Sequence, residues 1–489
     1  MSPGENRWEP VIGLEIHVQL QTRTKMFCGC ELEFGAEPNV HTCPVCLGHP
    51  GTLPVPNRQA INYALGVALA LGCEIEPRSI FHRKNYFYPD LPKGYQISQY
   101  DIPLGAGGSL GEVRIHRVHL EEDAAKLSHV GESGRIHGSG TSRVDFNRGG
   151  TPLVEIVSEP DIRSGPQARE WLQLLRTTLR QLGVSDVNME EGSLRCDANI
   201  SIREAGTEAL GTKTELKNMN SFRFIERGIA AEIERQVALV EGGGEVAQET
   251  LHFDPVSGSL TSLRSKEYAH DYRYLPEPDL VPLAPSEEQI EAARAALPEL
   301  PEARRDRYAA ELGLSPDDAA HLAFDAELGS FFERTSEHAR EADSKAVANW
   351  VTGELVRCSR EAGFEHPAET KATPEIVAAL ADLVATRSIN RKVGRQVLNR
   401  LVLEGGDPAA IVEAEGLGAV SGDDGALEAA VEKAIAAQPE AAEKVRAGET
   451  KAIGALIGFV MRETGGRADG GEVTRLIHEK LAPQPPVTD

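Results

Sequence analysis

Several features are scarce or missing in this sequence, and each absence excludes a class of protein. Aromatic residues make up only 5% of the 489 residues, so the cores must rest mainly on Ala, Val, Leu and Ile. No stretch reaches the roughly 20 consecutive apolar residues that a membrane-spanning helix needs. The 7 cysteines are too few for a disulfide scaffold in a chain of this length. We therefore expect a cytoplasmic protein without a membrane partner, divided into about three domains.

Common catalytic signatures and excess positive charge are missing as well. The chain has no GxxxxGK(S/T) phosphate loop and no GxSxG nucleophile turn. Its 51 Lys and Arg stand against 75 Asp and Glu, which gives a formal net charge of −24. Because phosphate binding depends on cations, this balance argues against a general nucleic-acid coat. An RNA partner would have to meet local basic patches, and any catalysis is expected to be metal-assisted.

The pattern of apolar residues predicts an α+β domain followed by two helical ones. In the first part, short alternating runs are mixed with Gly- and Pro-rich turns, and helical periodicity occurs only at 57–73, at 164–183 and after Ser221. Later, Ala, Glu and Leu dominate, strand signals vanish, and a Gly-Gly-Asp-Pro break falls at 405–408. The predicted domains span 1–290, 291–405 and 406–489.

Several predicted strands carry potential ligands on one face. Between residues 13 and 20, apolar side chains alternate with Glu15, His17 and Gln19. The Cα atoms of Glu15 and His17 are then about 6.6 Å apart on one face, close enough to share an ion. The run 119–123 adds three carboxylates at a strand end. Polar positions with the same character also occur at Glu155, Asp197, Asn199, Glu215 and Lys217.

Two interpretations of these polar faces remain open. A sheet with one solvated face would give the same alternation, since antiparallel sheets often expose one face to water. An idle solvent face would favour Thr, Lys and Glu, whereas these faces carry Asp, Asn, Arg, His and Glu, which hold metals and phosphates. Mg²⁺ prefers a few carboxylates together with substrate phosphate oxygens, so the pattern favours a site for Mg²⁺ and ATP.

Four cysteines form a CxC…CxxC pattern. Cys28 and Cys30 precede Cys43 and Cys46, and such paired thiolates suit a tetrahedral Zn²⁺ ion that would staple a loop. Four thiolate ligands leave no open coordination position, so the predicted zinc is structural. Four reduced cysteines that merely lie near one another, or a site that has lost its metal, remain the alternatives.

Longer runs of sequence closely resemble one family. These runs are 11–20 (VIGLEIHVQL), 83–99 (RKNYFYPDLPKGYQISQ), 119–123 (HLEED), 155–161 (EIVSEPD) and 190–199 (EEGSLRCDAN). Together they resemble the B subunit of the aspartyl/glutamyl-tRNA amidotransferases, the GatB family. The likeness covers nearly the whole chain, is dense through Leu280 and is looser beyond it. The tail at 406–489 looks like the YqeY-type tail of that family.

This resemblance implies a fold and an activity. The fold would be an antiparallel-sheet cradle at 1–290, an all-α domain and a helical tail. The cradle would use ATP and Mg²⁺ to phosphorylate the side-chain carboxylate of Glu or Asp on a misacylated tRNA. Ammonia, released from glutamine by an amidase partner (the A component), would displace the phosphate and give Gln-tRNA(Gln) or Asn-tRNA(Asn). A small C component would tether the amidase to this chain, and the helical part would bind tRNA.

The resemblance also implies roles for particular residues. His17, Glu121 and Glu155 match the family's metal position, with Glu15 alongside them as a further catalytic residue. Candidates for contacts with ATP or for the ammonia channel are Glu190, Asp197, Asn199, Glu215 and Lys217. A non-catalytic RNA-binding scaffold, whose polar strands only stabilise the fold, is the alternative function. The archaeal-type relative carries a large inserted domain for which this chain has no room.

A basic segment lies in the predicted helical domain. Arg387, Arg391, Lys392 and Arg395 occur there without an acidic residue between them. Residues three and four apart share a helix face, so they could form a stripe that binds RNA phosphates. A solvated helix face is the alternative, and the family resemblance favours tRNA.

Overall fold

The computed structural model describes residues 7–130, 139–265, 272–364, 366–418, 425–447 and 449–481. The chain divides into two compact units, Met1–Pro301 and Glu302–Asp489. All strands of the described residues lie in the first unit, and the second is helical. This arrangement confirms the predicted α+β class with a helical C-terminal part. The finer division at residues 290 and 405 stays a prediction.

The first unit contains strands β1 to β15, with helices between some of them. They are β1 (Trp8–Gln19), β2 (Glu74–Ile75), β3 (His82–Asn85), β4 (Tyr95–Ser98), β5 (Gly105–Ala106), β6 (Ser109–Leu110), β7 (Val113–Glu122), β8 (Lys126–Val130), β9 (Thr141–Asp145), β10 (Pro152–Ser158), β11 (Leu194–Glu204), β12 (Thr214–Met219), β13 (Glu249–Phe253), β14 (Leu260–Ser265) and β15 (Leu275–Pro276).

One large sheet organises this unit. Its order is β14-β13-β12-β11-β1-β10-β7-β5-β2, and β6 pairs with β7. Smaller sheets contain β15-β3-β4 and β8-β9. Neighbouring strands of the large sheet are antiparallel except β12 and β13, which are parallel. The expectation of an antiparallel sheet is therefore wrong at this pair, because a helix crosses over between the two strands and returns the chain in the same direction.

Three helices of the first unit begin where the sequence predicts, namely α1 (Arg58–Ala70), α2 (Gly165–Gln181) and α3 (Phe222–Glu241). A further helix, α4 (Glu287–Ala295), lies outside the three predicted segments. The side chains of Asn57, Ser164 and Ser221 accept hydrogen bonds from backbone amides in the first turns of α1, α2 and α3. Such caps satisfy amides that have no partner within the helix. The crossover helix between β12 and β13 is α3.

The central strand β1 separates an apolar face from a polar one. Leu14, Ile16 and Val18 are at most 1% exposed, and α3 packs against the neighbouring strands β11 and β12. The alternate side chains, including Glu15 and His17, point to the opposite face because side chains alternate along a strand. The hydrophobic core thus fixes which side chains the polar face presents.

The remaining helices form the C-terminal part. They are α5 (Pro301–Glu311), α6 (Pro316–Phe324), α7 (Ala326–His338), α8 (Ser344–Ala348), α9 (Val356–Glu361), α10 (Pro374–Ala385), α11 (Arg391–Glu404), α12 (Pro408–Ala414), α13 (Ala426–Ala437), α14 (Pro439–Arg446), α15 (Ile453–Glu463) and α16 (Gly470–Leu481). A π-helical turn, Asn349–Leu355, joins α8 to α9.

Two hydrophobic cores lie in this part. One extends from Tyr308 to Val402, and the other extends from Leu427 to Leu481. Gly405, with φ of 71°, ends α11 at the break that the sequence indicates. Within the described ranges, no helix has both the length and the apolar character required to cross a membrane.

Candidate active site

Strand register brings residues that are remote in sequence onto one polar face. On β1, His17 lies opposite Glu155 of β10 and opposite Arg195 of β11. Glu155 in turn lies opposite His119 of β7. Glu121 is two residues further along β7 and therefore points to the same face as His119. Three adjacent strands thus present an imidazole and two carboxylates side by side.

These side chains are close enough to share one cation. The Nδ1 atom of His17 is 3.1 Å from Oε1 of Glu121 and 3.9 Å from Oε2 of Glu155. The side chains of Glu121 and Glu155 are only 3% and 5% exposed. One ligand atom from each of the three residues lies within 4.8 Å of the others. Carboxylate oxygens suit Mg²⁺, and the imidazole nitrogen also accommodates transition metals, so this donor set fits a divalent cation.

A second group of possible ligands shares the same histidine. Glu15, His17 and Asp197 also offer ligand atoms within 4.8 Å of one another. The Nε2 atom of His17 is 3.4 Å from Oε1 of Glu15. Glu15 lies opposite Asp197 across the β1–β11 pair. The two ring nitrogens of His17 therefore face different acids: Nδ1 faces Glu121 and Glu155, and Nε2 faces Glu15.

Burial and pairing set the charges in this cluster. Burial alone would raise the pKa of the Glu121 and Glu155 carboxyls, but the imidazoles of His17 and His119 lower both values to about 2. Burial would lower the pKa of His17, but hydrogen bonds to Glu121 and Glu15 raise it well above its ordinary value. The carboxylates are thus ionised, and a cation that binds His17 must displace its proton.

The sequence interpretation assigned no role to two supporting groups on β7. His119, which is 2% exposed, places Nε2 3.2 Å from Oε2 of Glu155. The guanidinium of Arg117 is 3.4 Å from the other oxygen of the same carboxylate. Both residues precede Glu121 by an even number of positions, so the period of two was the signal that could have identified them.

We expect His119→Gln to weaken binding of a divalent cation by about 10- to 100-fold, because residues that orient metal ligands have effects of this size. Titration of the full chain with Mn²⁺, followed by calorimetry, measures the change. His116→Gln is the matched control, since His116 is an exposed residue of the same strand that pairs with the partly exposed Glu159 and not with Glu155. Equal effects of the two substitutions would contradict the supporting role of His119.

The cluster opens into a cavity of about 560 Å³. Glu15, His17, Glu121, Asp197 and Lys217 contribute to one part of its lining. Sequence reasoning assigned no role to several other lining residues, namely Lys84, Tyr86, Asp123, Arg195 and Tyr272. Burial would lower the pKa of Lys84, but Tyr274, Glu121 and Glu155 raise it overall, so this lysine carries a positive charge into the cavity.

The further candidates for ATP or channel contacts have different positions. The Nζ atom of Lys217 is 2.7 Å from Oδ2 of Asp197 and 3.6 Å from Oε1 of Glu215. Glu215 lies opposite Asn199 in the β11–β12 pair, and neither residue is part of the cavity lining. Glu190 is exposed, and the adjacent residue, Met189, lines the cavity instead. The structure thus brings Asp197 and Lys217 to the cavity directly.

Known protein families match most of this chain. The GatB/GatE catalytic domain matches residues 10–291, and the GatB domain matches residues 330–481. The chain belongs to the GatB family. The resemblance inferred from the sequence motifs is thereby confirmed.

Relatives of this GatB-family chain match it nearly end to end. The B subunit of the aspartyl/glutamyl-tRNA(Asn/Gln) amidotransferase of Anaeromyxobacter sp. (strain K) is 50% identical over 484 residues, which cover 97% of this chain and 99% of the relative. Proteins of the same name from Geobacter sulfurreducens and Moorella thermoacetica are each 49% identical over 482 residues. These alignments cover 97% of this chain and 99% and 100% of the two relatives.

A cysteine cluster forms a second candidate metal centre in the GatB-family chain. The sulfur atoms of Cys28, Cys30, Cys43 and Cys46 lie within 4.8 Å of one another, and all are free thiols. The cluster is compatible with zinc, for which four thiolates are a common ligand set. A hydrogen bond from Cys28, together with the Cys43 backbone amide and the ammonium of Lys25, lowers the pKa of Cys46 to about 4 despite burial.

The basic segment of the GatB-family chain is divided between two environments. Arg391 and Arg395 lie on one face of α11, where both contact Glu354. Lys392 places its ammonium beside Gly466 instead. Arg387 precedes the helix in a left-handed conformation with φ of 61°. The segment is therefore not one continuous stripe.

Proposed function

We propose that this chain is the component of a tRNA-dependent amidotransferase that activates the aminoacyl substrate with ATP. The side-chain carboxylate of Glu on tRNA(Gln), or of Asp on tRNA(Asn), attacks the γ-phosphorus of ATP, and ADP leaves. Ammonia then attacks the acyl phosphate carbon, and inorganic phosphate leaves as the amide forms. The observation that carries this proposal is the convergence of His17, Glu121 and Glu155 beside a cavity, which His17 and Glu121 line, in a GatB-family chain.

The residues at the cavity suit phosphoryl transfer. His17, Glu121 and Glu155 would hold Mg²⁺, which supplies charge neutralisation at phosphate oxygens when it is bound. Glu15 orients the His17 ring through a contact with its Nε2 atom, and the Nε2 atom of His119 orients the carboxylate of Glu155. Lys84 and Lys217 line the cavity and bring positive charge to an incoming polyphosphate. Such catalysis depends mainly on positioning and charge neutralisation, so it does not require a strong general base.

The other candidate residues have supporting parts in this proposal. Asp197 holds the ammonium of Lys217, and Glu215 lies behind that ion pair. Thr250 donates a hydrogen bond to Glu215 over 2.9 Å and so limits its movement. Asn199 and Glu190 remain candidates for outer contacts with ATP or for the path of ammonia. Zn²⁺ bound to the cysteine cluster would be structural.

The proposal includes partners. The relatives are named as the B component of a larger enzyme, which implies other components. The partners proposed here are an amidase, which supplies ammonia from glutamine, and a small tethering protein. The misacylated tRNA is bound partly through Arg387, Arg391, Lys392 and Arg395. A cytoplasmic location follows from the use of the aminoacyl-tRNA product in protein synthesis.

The test measures ADP formation by the chain assembled with the amidase and the small tethering protein. We expect ADP to form only when ATP, Mg²⁺ and a misacylated Glu-tRNA(Gln) or Asp-tRNA(Asn) are all present, and glutamine to convert the tRNA-bound acid into its amide. Correctly acylated tRNA of the same sequence is the control. Binding of tRNA without any tRNA-dependent ADP formation would overturn the proposal and favour the non-catalytic scaffold.

A further inference from the structure

A buried carboxylate in the helical unit is surrounded by arginines. Glu354 lies in the π-helical turn, and its side chain is only 7% exposed. Arg395 donates a hydrogen bond from Nε to Oε1 of Glu354 over 2.6 Å, and Arg391 reaches the same oxygen over 3.5 Å. Arg357 places Nη2 3.5 Å from the other oxygen, Oε2. One carboxylate therefore contacts three guanidinium groups, a set that we call the Glu354 cluster.

The packing of α11 brings these groups together. Arg391 and Arg395 are four residues apart and share one face of α11. Gly394 lies between them, and a Cβ atom at this position would be 2.8 Å from the indole ring of Trp350. Only a residue without a side chain allows α11 to pass this close to the π-helical turn. This close approach lets both arginines reach Glu354.

The cluster keeps a positive surface despite the internal pairing. Three guanidinium groups against one carboxylate leave an excess of positive charge, and the exposed Glu361 offsets part of it through Arg357. The side chains of Arg391 and Arg395 are 58% and 49% exposed, so their outer edges face solvent. A guanidinium has five N–H donors, and the contacts with Glu354 use only part of them.

This arrangement differs from an ordinary surface ion pair. A simple exposed pair has one acid for each base and contributes little free energy. Here the carboxylate of Glu354 is buried and contributes little exposed negative surface, while its contacts orient the planar guanidinium groups of the three arginines. Guanidinium groups that present free donors match the oxygens of a phosphodiester, because two parallel N–H donors can bind one phosphate.

We propose that Glu354 is a positioning residue that orients Arg357, Arg391 and Arg395 to bind backbone phosphates of RNA. This inference rests on the proposed function, in which the helical part meets tRNA, and it adds the group that organises the basic residues. Glu354 itself does not touch the RNA. Arg357, which precedes the predicted basic segment by thirty residues, becomes part of the same phosphate-binding surface.

The first experiment tests the arginines. The full chain, assembled with the amidase and the small tethering protein, is titrated with a tRNA(Gln) transcript at several salt concentrations. We expect the R391A/R395A variant to bind at least about 10-fold more weakly and to show a smaller dependence of affinity on salt, because each lost phosphate contact lowers the number of released counterions. Arg400→Ala is the matched control, since Arg400 is on the same helix, is 45% exposed and pairs with Glu404.

The second experiment tests Glu354 itself. Whether Glu354→Gln weakens or tightens RNA binding distinguishes positioning from a simple effect of charge. Simple charge counting predicts that Glu354→Gln tightens RNA binding, because a negative charge is removed. Positioning predicts weaker binding of about 3- to 10-fold, partial recovery in Glu354→Asp, and no further effect of Glu354→Gln in the R357A/R391A/R395A background. Thermal melting confirms that each variant is folded.

Several outcomes would overturn the inference. Tighter or unchanged RNA binding by a folded Glu354→Gln variant contradicts positioning. Loss of assembly with the amidase, without loss of tRNA affinity in R391A/R395A, assigns the surface to a protein partner instead. Formation of ADP by the unsubstituted complex is measured separately, so a failure of the proposed function is distinguishable from a failure of this inference.

Discussion

Replacement of Glu155 by Gln is expected to lower the rate of ATP-dependent amidation by about 10²- to 10³-fold, the range found when one preorganised electrostatic group is removed from an active site. The substitution keeps the shape of the side chain but removes the charge that lies near His17, His119 and Arg117. Glu121→Gln should have a similar effect, since Glu121 is the closer of the two carboxylates to His17. Steady-state rates at saturating tRNA measure the change.

Binding of tRNA supplies the contrast for these variants. The candidate metal site of His17, Glu121 and Glu155 lies in the first unit, whereas we place the phosphate contacts of the RNA in the helical unit. The affinity of these variants for tRNA should therefore be unchanged. Glu9→Gln is the matched control, because Glu9 also lies on β1 but pairs with Arg163 and Arg203 at the other end of the strand. If Glu121→Gln and Glu155→Gln both kept full ATP-dependent activity, the catalytic interpretation of the polar face would be wrong.

Loss of the cysteine cluster should have the largest effect on local stability. We expect the full chain to contain one zinc ion and Cys46→Ser to lose it, because tetrahedral zinc sites need all four ligands for their full affinity. Structural zinc supplies about 10–16 kcal/mol of apparent binding free energy in small zinc-binding peptides, so the loop from Cys28 to Cys46 should unfold without it. Elemental analysis gives the zinc content, and limited proteolysis reports the state of the loop.

A cysteine far from this loop provides the control. Cys358 is buried in the helical unit, so Cys358→Ala should keep its zinc and the protease resistance of the loop. A chelator should reproduce the effect of Cys46→Ser in the unsubstituted chain. A zinc-free preparation in which the loop still resists proteolysis would show that reduced thiols and their neighbours are sufficient to hold it.

Local features of the fold could be predicted because neighbouring residues determine them. The caps Asn57, Ser164 and Ser221 begin the three helices of the first unit that the periodicity predicts. The alternation in β1 correctly assigns Leu14 and Ile16 to the buried face. Such patterns depend on spacing along the chain, which the sequence contains directly.

Features that depend on contacts between distant segments could not be predicted in the same way. The alignment of His17 with Glu155, and of Glu155 with His119, depends on how β7, β10 and β1 pair. Nothing local in the sequence determines that register. The parallel pair β12–β13 was missed for the same reason, since it depends on where α3 returns the chain. The family resemblance, rather than periodicity, led to the three residues of the candidate metal site.

The helical unit shows the same limit. Spacing along α11 places Arg391 and Arg395 on one face, as predicted. Their common partner, Glu354, lies on a different element, and its π-helical turn has no recognisable signal in the sequence. Lys392 belongs to the same basic segment but points toward the loop at Gly466, which the segment alone does not reveal.

Two sets of possible metal ligands share His17, one with Glu121 and Glu155 and the other with Glu15 and Asp197. The tautomers of the His17 ring couple these two sets. A neutral imidazole has one protonated nitrogen and one lone pair, so it can coordinate a cation on only one side at a time. Coordination through Nδ1, toward Glu121 and Glu155, leaves the proton on Nε2 as a donor to Glu15. Coordination on the Glu15 side reverses these roles. Two cations could use this ring simultaneously only as an imidazolate, so occupancy of one side excludes the other while the remaining proton is retained.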